Sequence, residues 1–254
     1  MRNTVSSPSD APYRVDYTNS IWFSGWTAPA VSFLLISSLI FIMFPTLDLA
    51  VTRIFANGRS FPLSESPILL SIRDANRRAM IYLLVPMTIM IILYAVKPRK
   101  FELFPPHKAF FVILSFLIGP FLTVQFLKNF FARARPRSLL EFGGSADFTP
   151  VWQYAAQCSR NCSFPSGEAA TASATLSVII LIPAKWRPIA VAVITPVLLF
   201  ASFNRVMFGA HFLSDVTIAW GLMWCLMIWL WRRISQNAQN IDYLIENIGR
   251  ALIK

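Results

Sequence analysis

The sequence predicts an all-α polytopic membrane protein, a bundle of six transmembrane helices followed by an amphipathic C-terminal helix. Of its 254 residues, 56% are hydrophobic and only 14% are charged, and several stretches approach the roughly 20 apolar residues that span a bilayer. A soluble protein of this length would need more polar surface. We expect a cytoplasmic N-terminal segment over 1–26, a membrane domain over 27–233 and a cytoplasmic tail over 234–254.

Apolar runs separated by charged or proline-containing stretches define the six predicted spans. They are Thr27–Leu47, Met80–Val96, Ala109–Leu127, Glu168–Pro183, Ile189–Arg205 and Phe212–Trp231. Pro45, Pro86, Pro120 and Pro196 lie within or near these spans. A membrane bundle tolerates them because neighbouring helices satisfy the freed backbone groups.

The charged residues predict the orientation. The first 20 residues are polar, carry Arg2 and Arg14 and lack a cleavable signal peptide pattern, so we place the N-terminus in the cytoplasm. The short loops "KPRK" and "KWRP" are then internal and basic, as expected. The outer cations nevertheless cluster, which predicts an anionic ligand there rather than nucleic acid. The clustered residues are Lys128, Arg133, Arg135, Arg137 and Arg160.

The tail has a helical pattern. Apolar residues recur at helical spacing at Ile241, Leu244, Ile245, Ile248 and Leu252. Charged residues follow each other four apart at Asp242, Glu246, Arg250 and Lys254. The two patterns predict an amphipathic helix on the cytoplasmic surface, and a solvated terminal helix without function is the favoured interpretation.

Two polar clusters fall at the outer ends of the third and fourth spans. In "LKNFFARARPRS", Lys128 supplies a mobile charge and Arg135 a planar fork that matches phosphate oxygens, although a basic membrane anchor has the same composition. In "FPSGEAATASAT", Ser166 and Gly167 open a helix whose free N–H groups can bind an anion. Alternatively, Ser166 caps that helix and Glu168 complements its dipole.

A third cluster, "FNRVMFGAHFLSDV", joins the last two spans. Arg205 ends one span, and the spacing of four between His211 and Asp215 places both on one helical face. The carboxylate can then hold one ring nitrogen and leave the other free to attack, although a satisfied interfacial histidine is commoner. All three clusters lie on one predicted membrane face, and together they supply the groups that phosphoryl transfer needs.

These motifs resemble those of the type 2 phosphatidic acid phosphatase family, membrane lipid phosphatases related to vanadium haloperoxidases. The family pattern is K-x6-RP, then PSGH, then SR-x5-H-x3-D. Its counterparts here are Lys128 to Pro136, Pro165 to Glu168 and Asn204 to Asp215. Two residues depart from the pattern. Asn204 replaces a serine, and Glu168 replaces the histidine that serves the family as general acid.

The resemblance implies a metal-independent mechanism without cofactors. His211 would attack phosphorus and form a phosphohistidine, with Asp215 orienting the ring. The phosphoryl group would be bound by Lys128, Arg135, Ser166, Gly167 and Arg205. Our hypothesis is that Glu168 donates the proton in place of the usual histidine. The Pro-Ser-Gly-Glu form of the second motif resembles that of bacterial lipid A phosphatases of this family.

The resemblance further implies a bacterial inner-membrane lipid phosphatase that acts on a phosphorylated lipid at the periplasmic face. A lipid A phosphate is the preferred substrate, and undecaprenyl diphosphate or phosphatidylglycerophosphate is the alternative. From another class, a transporter or a non-catalytic phospholipid-binding protein is the rival. Inverted repeats and acidic residues in the middle of spans are typical of transporters, and we find neither in the sequence. The sequence leaves the oligomeric state open.

The outer loops carry two further features. In "CSRNC", Cys158 and Cys162 could form a disulfide in an oxidising periplasm or remain free thiols, whereas Cys225 lies in the sixth span and is expected to pack there. The stretch from Asp48 to Arg78 is rich in arginine. It could contact a second phosphate, although membrane anchoring is the preferred interpretation.

Overall fold

The computed structural model describes residues 25–98 and 105–252, and within these ranges the regular secondary structure is helical, without a β-strand. The all-α prediction is therefore confirmed. The helices are α1 Thr27–Met43, α2 Thr46–Phe55, α3 Pro67–Val96, α4 Pro106–Phe116, α5 Val124–Phe131, α6 Gly167–Thr175, α7 Arg187–Met207, α8 Leu213–Gln236 and α9 Ala238–Leu252. Most of the predicted N-terminal segment, part of the "KPRK" loop and Lys254 lie outside the described residues.

The protein is a multi-pass membrane protein by the length and apolarity of its helices. In the described ranges, four helical segments can cross a membrane: Pro67–Val96, Pro106–Ser138, Ala184–Met207 and Leu213–Gln236. The helices α1 and α2, bent by 86°, pass the same test as a pair and would make a fifth. The predicted fourth span corresponds to a shorter apolar segment, Gly167–Leu181. The count of six remains a prediction.

The second predicted span begins earlier than expected. Helix α3 starts at Pro67 rather than at Met80, so the stretch that we interpreted as a long loop contains α2 and the first turns of α3. The charged residues of this stretch suggested a loop, but Arg73, Arg77 and Arg78 lie on the N-terminal turns of α3. This extension brings the N-terminal part of α3 beside α6.

The third predicted span changes its helical register near the middle. Residues Leu117–Thr123 form a π-helical segment between α4 and α5. Pro120 has no N–H for the α-helical ladder, and the Thr123 hydroxyl donates to the Ile118 carbonyl at 2.7 Å. The helix continues past this segment and carries Lys128 to the end that faces away from His107, roughly 30 Å away at 1.5 Å per residue.

Helix α6 lies inside the bundle and packs against α3, α7 and α8. Its alanines are fully buried, which lets the neighbouring backbones approach closely. These alanines are Ala169, Ala170, Ala172 and Ala174. Since α6 begins at Gly167, this packing fixes the depth and direction of the Pro-Ser-Gly-Glu motif.

The tail is helical over Ala238–Leu252, and its contacts with the bundle are closer than those expected for a solvated helix. Asp242, expected on a charged stripe, is buried and accepts hydrogen bonds from the His107 backbone N–H at 2.9 Å and from its ring Nδ1 at 2.8 Å. A Cβ on Gly249 would overlap the Ala95 carbonyl group. Helix α9 therefore needs glycine at its contact with α3.

Candidate active site

Four helix ends meet at one end of the bundle and bring the three predicted clusters together. Glu168, in the first turn of α6, lies between the end of α7 and the start of α8. Its Oε1 is 3.5 Å from Arg205 Nε, and its Oε2 is 3.4 Å from His211 Nε2. On the α5 side, the Cε atom of Lys128 would lie 3.9 Å from a Cβ at Gly167. The structure therefore brings residues of all three predicted clusters to one place.

The fully buried imidazole of His211 is oriented by a backbone carbonyl. Its Nδ1 lies 2.8 Å from the Ser163 carbonyl oxygen, which can only accept, so Nδ1 carries a proton, and the neutral form of the ring has its lone pair on Nε2. Asp215 Oδ2 is 3.7 Å from Nδ1. It accepts instead from the Ser163 hydroxyl and from the Phe212 N–H. His211 and Asp215 are therefore connected through Ser163, whose carbonyl bonds to the ring and whose hydroxyl bonds to the carboxylate.

Behind Asp215 lies a buried charge network that the sequence interpretation did not include. Arg133 donates to Asp215 Oδ1 at 2.6 Å and to Asp48 Oδ2 at 2.9 Å, and all three side chains are almost completely buried. Asp48 also accepts from the backbone N–H and the hydroxyl of Ser214. An acid at the end of an apolar run was a signal for Asp48. No local signal distinguished Arg133 from its exposed neighbour Arg137.

The disulfide-containing loop provides hydrogen-bond acceptors for two side chains that were predicted to bind phosphate. Cys158 and Cys162 form a disulfide. Lys128 Nζ donates to the Cys162 carbonyl at 2.7 Å. Arg135 donates to the carbonyl and side-chain oxygens of Asn161 at 3.0 and 2.8 Å. This loop therefore holds both cations beside the site.

Several polar atoms around Glu168 are buried without a hydrogen bond. Within the described ranges, Arg205 Nε, Arg205 Nη1 and His211 Nε2 have no hydrogen-bond partner. The Glu168 carboxylate is near two of them, at 3.4–3.5 Å, but makes no hydrogen bond with them. A buried polar group without a hydrogen bond costs about 1–3 kcal/mol, so this set of atoms suits a ligand that would bond to them. Two donors of one guanidinium and an imidazole nitrogen, with Lys128 nearby, suit a tetrahedral oxyanion.

Glu168 has a cationic partner that the sequence interpretation did not single out. Arg77, on the extended part of α3, donates to Glu168 Oε1 from Nη2 at 2.8 Å and from Nε at 3.2 Å. The neighbouring Asn76 donates to the Glu168 carbonyl at 3.0 Å. Arg77 belonged to the arginine-rich outer stretch, but its pairing across 91 residues had no sequence signal.

The two motif serine positions have structural partners. The Ser166 hydroxyl accepts from the Ala169 N–H at 3.3 Å, so the capping interpretation applies to it. Asn204, which stands where the resemblance expects a serine, donates to the Leu69 carbonyl at 2.8 Å and ties α7 to α3. Within the ranges that the structure describes, no three His, Cys, Asp or Glu side chains are grouped to hold a metal ion.

Comparisons with known proteins find three similar lipid A 4'-phosphatases. The chain is 38% identical to a lipid A 4'-phosphatase of Rhizobium etli over 107 residues, which are 42% of each chain. It is 37% identical to the Rhizobium leguminosarum enzyme of that name over 42% of this chain and 46% of the relative. For the lipid A 4'-phosphatase of Francisella tularensis subsp. novicida, the identity is 29%, over 52% of this chain and 60% of the relative.

The chain thus aligns with about half the length of these relatives. No solved structure matches it. The family model described as the PAP2 superfamily matches residues 108–239, just over half of the chain, and this range contains all three motifs. The chain therefore belongs to the PAP2 superfamily.

Proposed function

We propose that this protein is a membrane phosphatase that removes a phosphate monoester from lipid A, at the 4'-position by analogy with the named relatives. The observation that carries the proposal is the set of buried Arg205 and His211 atoms that lack hydrogen bonds and surround the Glu168 carboxylate at the end of the bundle. A phosphoryl group in place of that carboxylate would satisfy them. Lys128 and Arg135 lie beside it and would neutralise the remaining charge.

In the first step, His211 Nε2 would form a bond to phosphorus while the bond from phosphorus to the lipid oxygen breaks. The ring proton on Nδ1 stays hydrogen-bonded to the Ser163 carbonyl, which stabilises the imidazolium character that develops. The Glu168 carboxylate would take the proton of the monoanionic phosphate monoester and give it to the departing lipid oxygen. Because that oxygen lies opposite the attacking nitrogen, Glu168 would have to leave its 3.4 Å contact with Nε2 to reach it.

In the second step, water would attack phosphorus and break the phosphorus–nitrogen bond. The Glu168 carboxylate would accept the proton of the water and return it to the inorganic phosphate, which would leave. His211 and Glu168 return to their starting forms, so the cycle balances without another reactant. Arg205 would hold the equatorial oxygens in both steps.

For the topology, we infer six crossings, with Gly167–Leu181 as a short fourth span and the site at the periplasmic face of the bacterial inner membrane. The exposed Leu244, Ile248 and Leu252 of α9 would contact the lipid surface at the cytoplasmic end. Single cysteines at Arg59 and Lys185, in a background in which Ser replaces Cys225, test the orientation. An impermeant thiol reagent on spheroplasts should label position 59 and leave position 185 unlabelled.

Phosphate release by the purified protein tests the activity. Lipid A should be hydrolysed faster than undecaprenyl diphosphate or phosphatidylglycerophosphate, and His211→Ala should release no phosphate. Lipid A phosphorylated only at the 4'-position or only at the 1-position identifies the bond. A radiolabelled, acid-labile and base-stable phosphoenzyme should form with the intact His211 and not with the Ala variant. Unchanged release by His211→Ala would refute the mechanism.

A further inference from the structure

The Glu168 carboxylate lies where the proposed phosphoryl group would bind. It faces the same atoms, Arg205 Nε and His211 Nε2, at 3.5 and 3.4 Å. A carboxylate and a phosphoryl group carry like charges and could not share these partners at contact distance. Binding of the phosphate therefore requires the Glu168 side chain to move.

Arg77 provides a place for the carboxylate to move to. It already holds Oε1 through two donors at 2.8 and 3.2 Å, closer than either Arg205 or His211. Its side chain is 51% exposed and can follow a displaced carboxylate, whereas Arg205 is buried. Asn76 holds the Glu168 backbone carbonyl, so the side chain would rotate while α6 stays in place.

We propose that Arg77 is a positioning residue that draws Glu168 out of the phosphate pocket when the substrate binds and keeps it beside the leaving oxygen. The proposal rests on the proposed function and extends it. Arg77 lies outside the three motifs, on a different helix. It compensates for the unusual carboxylate, since an anion among phosphate-binding cations competes with the substrate unless another cation holds it.

Orthovanadate, a tetrahedral phosphate analogue, tests this exchange without turnover. Titration calorimetry on the detergent-solubilised full chain should show about tenfold weaker orthovanadate binding for Arg77→Ala, since Glu168 then stays on Arg205 and His211. Glu168→Gln should bind orthovanadate more tightly than the wild type. The Arg77→Ala substitution should lose its effect in the Glu168→Gln background, because no competing charge remains to be held.

Arg78→Ala is the matched control, because Arg78 is an exposed neighbour that forms no ion pair in the described part of the chain. It should change orthovanadate binding less than twofold. In lipid assays, Arg77→Ala should raise KM in parallel with the loss of orthovanadate affinity, and Arg77→Lys should recover part of it.

Three outcomes overturn the proposal: no effect of Arg77→Ala, an equal effect of Arg78→Ala, or a loss that persists in the Glu168→Gln background. The last two would indicate a general effect of positive charge on anion binding. Failure of the proposed function is separate. In that case the wild-type protein would release no phosphate from any lipid, whatever the orthovanadate titrations show.

Discussion

Replacement of Arg133 by methionine should destabilise the protein more than replacement of any exposed arginine. Arg133 is 1% exposed and lies between the carboxylates of Asp48 and Asp215, at 2.9 and 2.6 Å. The substitution leaves two buried anions without their shared cation. Breaking a buried pair by removing one partner costs about 3–5 kcal/mol, whereas surface substitutions usually stay within about 0.5 kcal/mol.

Thermal unfolding in one detergent, followed by circular dichroism, measures the difference. Arg137→Met is the control because Arg137 is exposed and lies only two residues beyond Arg135 in the same segment. Unfolding of membrane proteins is often irreversible, so apparent midpoints are compared at one scan rate. We expect a clear fall for Arg133→Met and almost none for Arg137→Met.

A double substitution tests the cause. Asp48→Asn removes one of the two stranded charges, so Arg133→Met with Asp48→Asn should melt above Arg133→Met alone. Activity should not recover to the same extent, since Asp215 still lacks the cation that holds it beside Ser163. Equal midpoints for Arg133→Met and Arg137→Met, or a double variant that loses the sum of both single effects, would refute the reasoning.

Three further predictions concern single features of the molecule. Glu168→Gln should lower kcat by about 10²–10⁴-fold, as expected for loss of a general acid, while Glu168→His should retain more activity. Equal rates for the Gln variant and the wild type in the lipid assay would exclude the acid role. Replacing Cys158 and Cys162 by serine should raise KM more than it lowers kcat, because the loop supplies acceptors for Lys128 and Arg135, the two cations that we propose bind phosphate. An unchanged KM contradicts this. Gly249→Ala should lower the melting midpoint, since its Cβ would meet the Ala95 carbonyl, and should leave kcat/KM unchanged because the contact is remote from the site.

Much of the site could be predicted because its signals are local in the sequence. The spacing within each motif predicted His211 and Asp215 on one helical face and Ser166 at the start of α6. In the structure His211 lies two residues before α8, and only Asp215 is in its first turn. Apolar runs gave the order of the membrane segments. Since consecutive spans run in opposite directions, the motifs at their outer ends had to meet at one face.

The remaining features depend on contacts between distant residues. Arg77 and Glu168 are 91 residues apart, and Arg133 and Asp48 are 85 apart. A charged residue has the same appearance in a sequence whether it is solvated or paired inside the protein. For this reason the arginines of α3 suggested a loop, and Asp242 suggested a solvated face. Only the packing of α3 on α6, and of α9 on α4, shows their partners.

The two histidines show what separates a structural pair from a reactive one. Both lie close to an aspartate, but His107 is bound by Asp242 through its backbone N–H and through Nδ1, and this pair fixes α9 to the bundle. In His211, Nδ1 is held by a carbonyl and Nε2 is left buried without a hydrogen bond. Arg205 also has buried donors without a hydrogen bond, and it shares the Glu168 carboxylate with His211 at 3.5 and 3.4 Å. A histidine near an acid is therefore weak support for catalysis. A buried ring nitrogen and buried guanidinium donors that lack hydrogen bonds around one carboxylate are stronger support, because a phosphoryl group could bond to all of them.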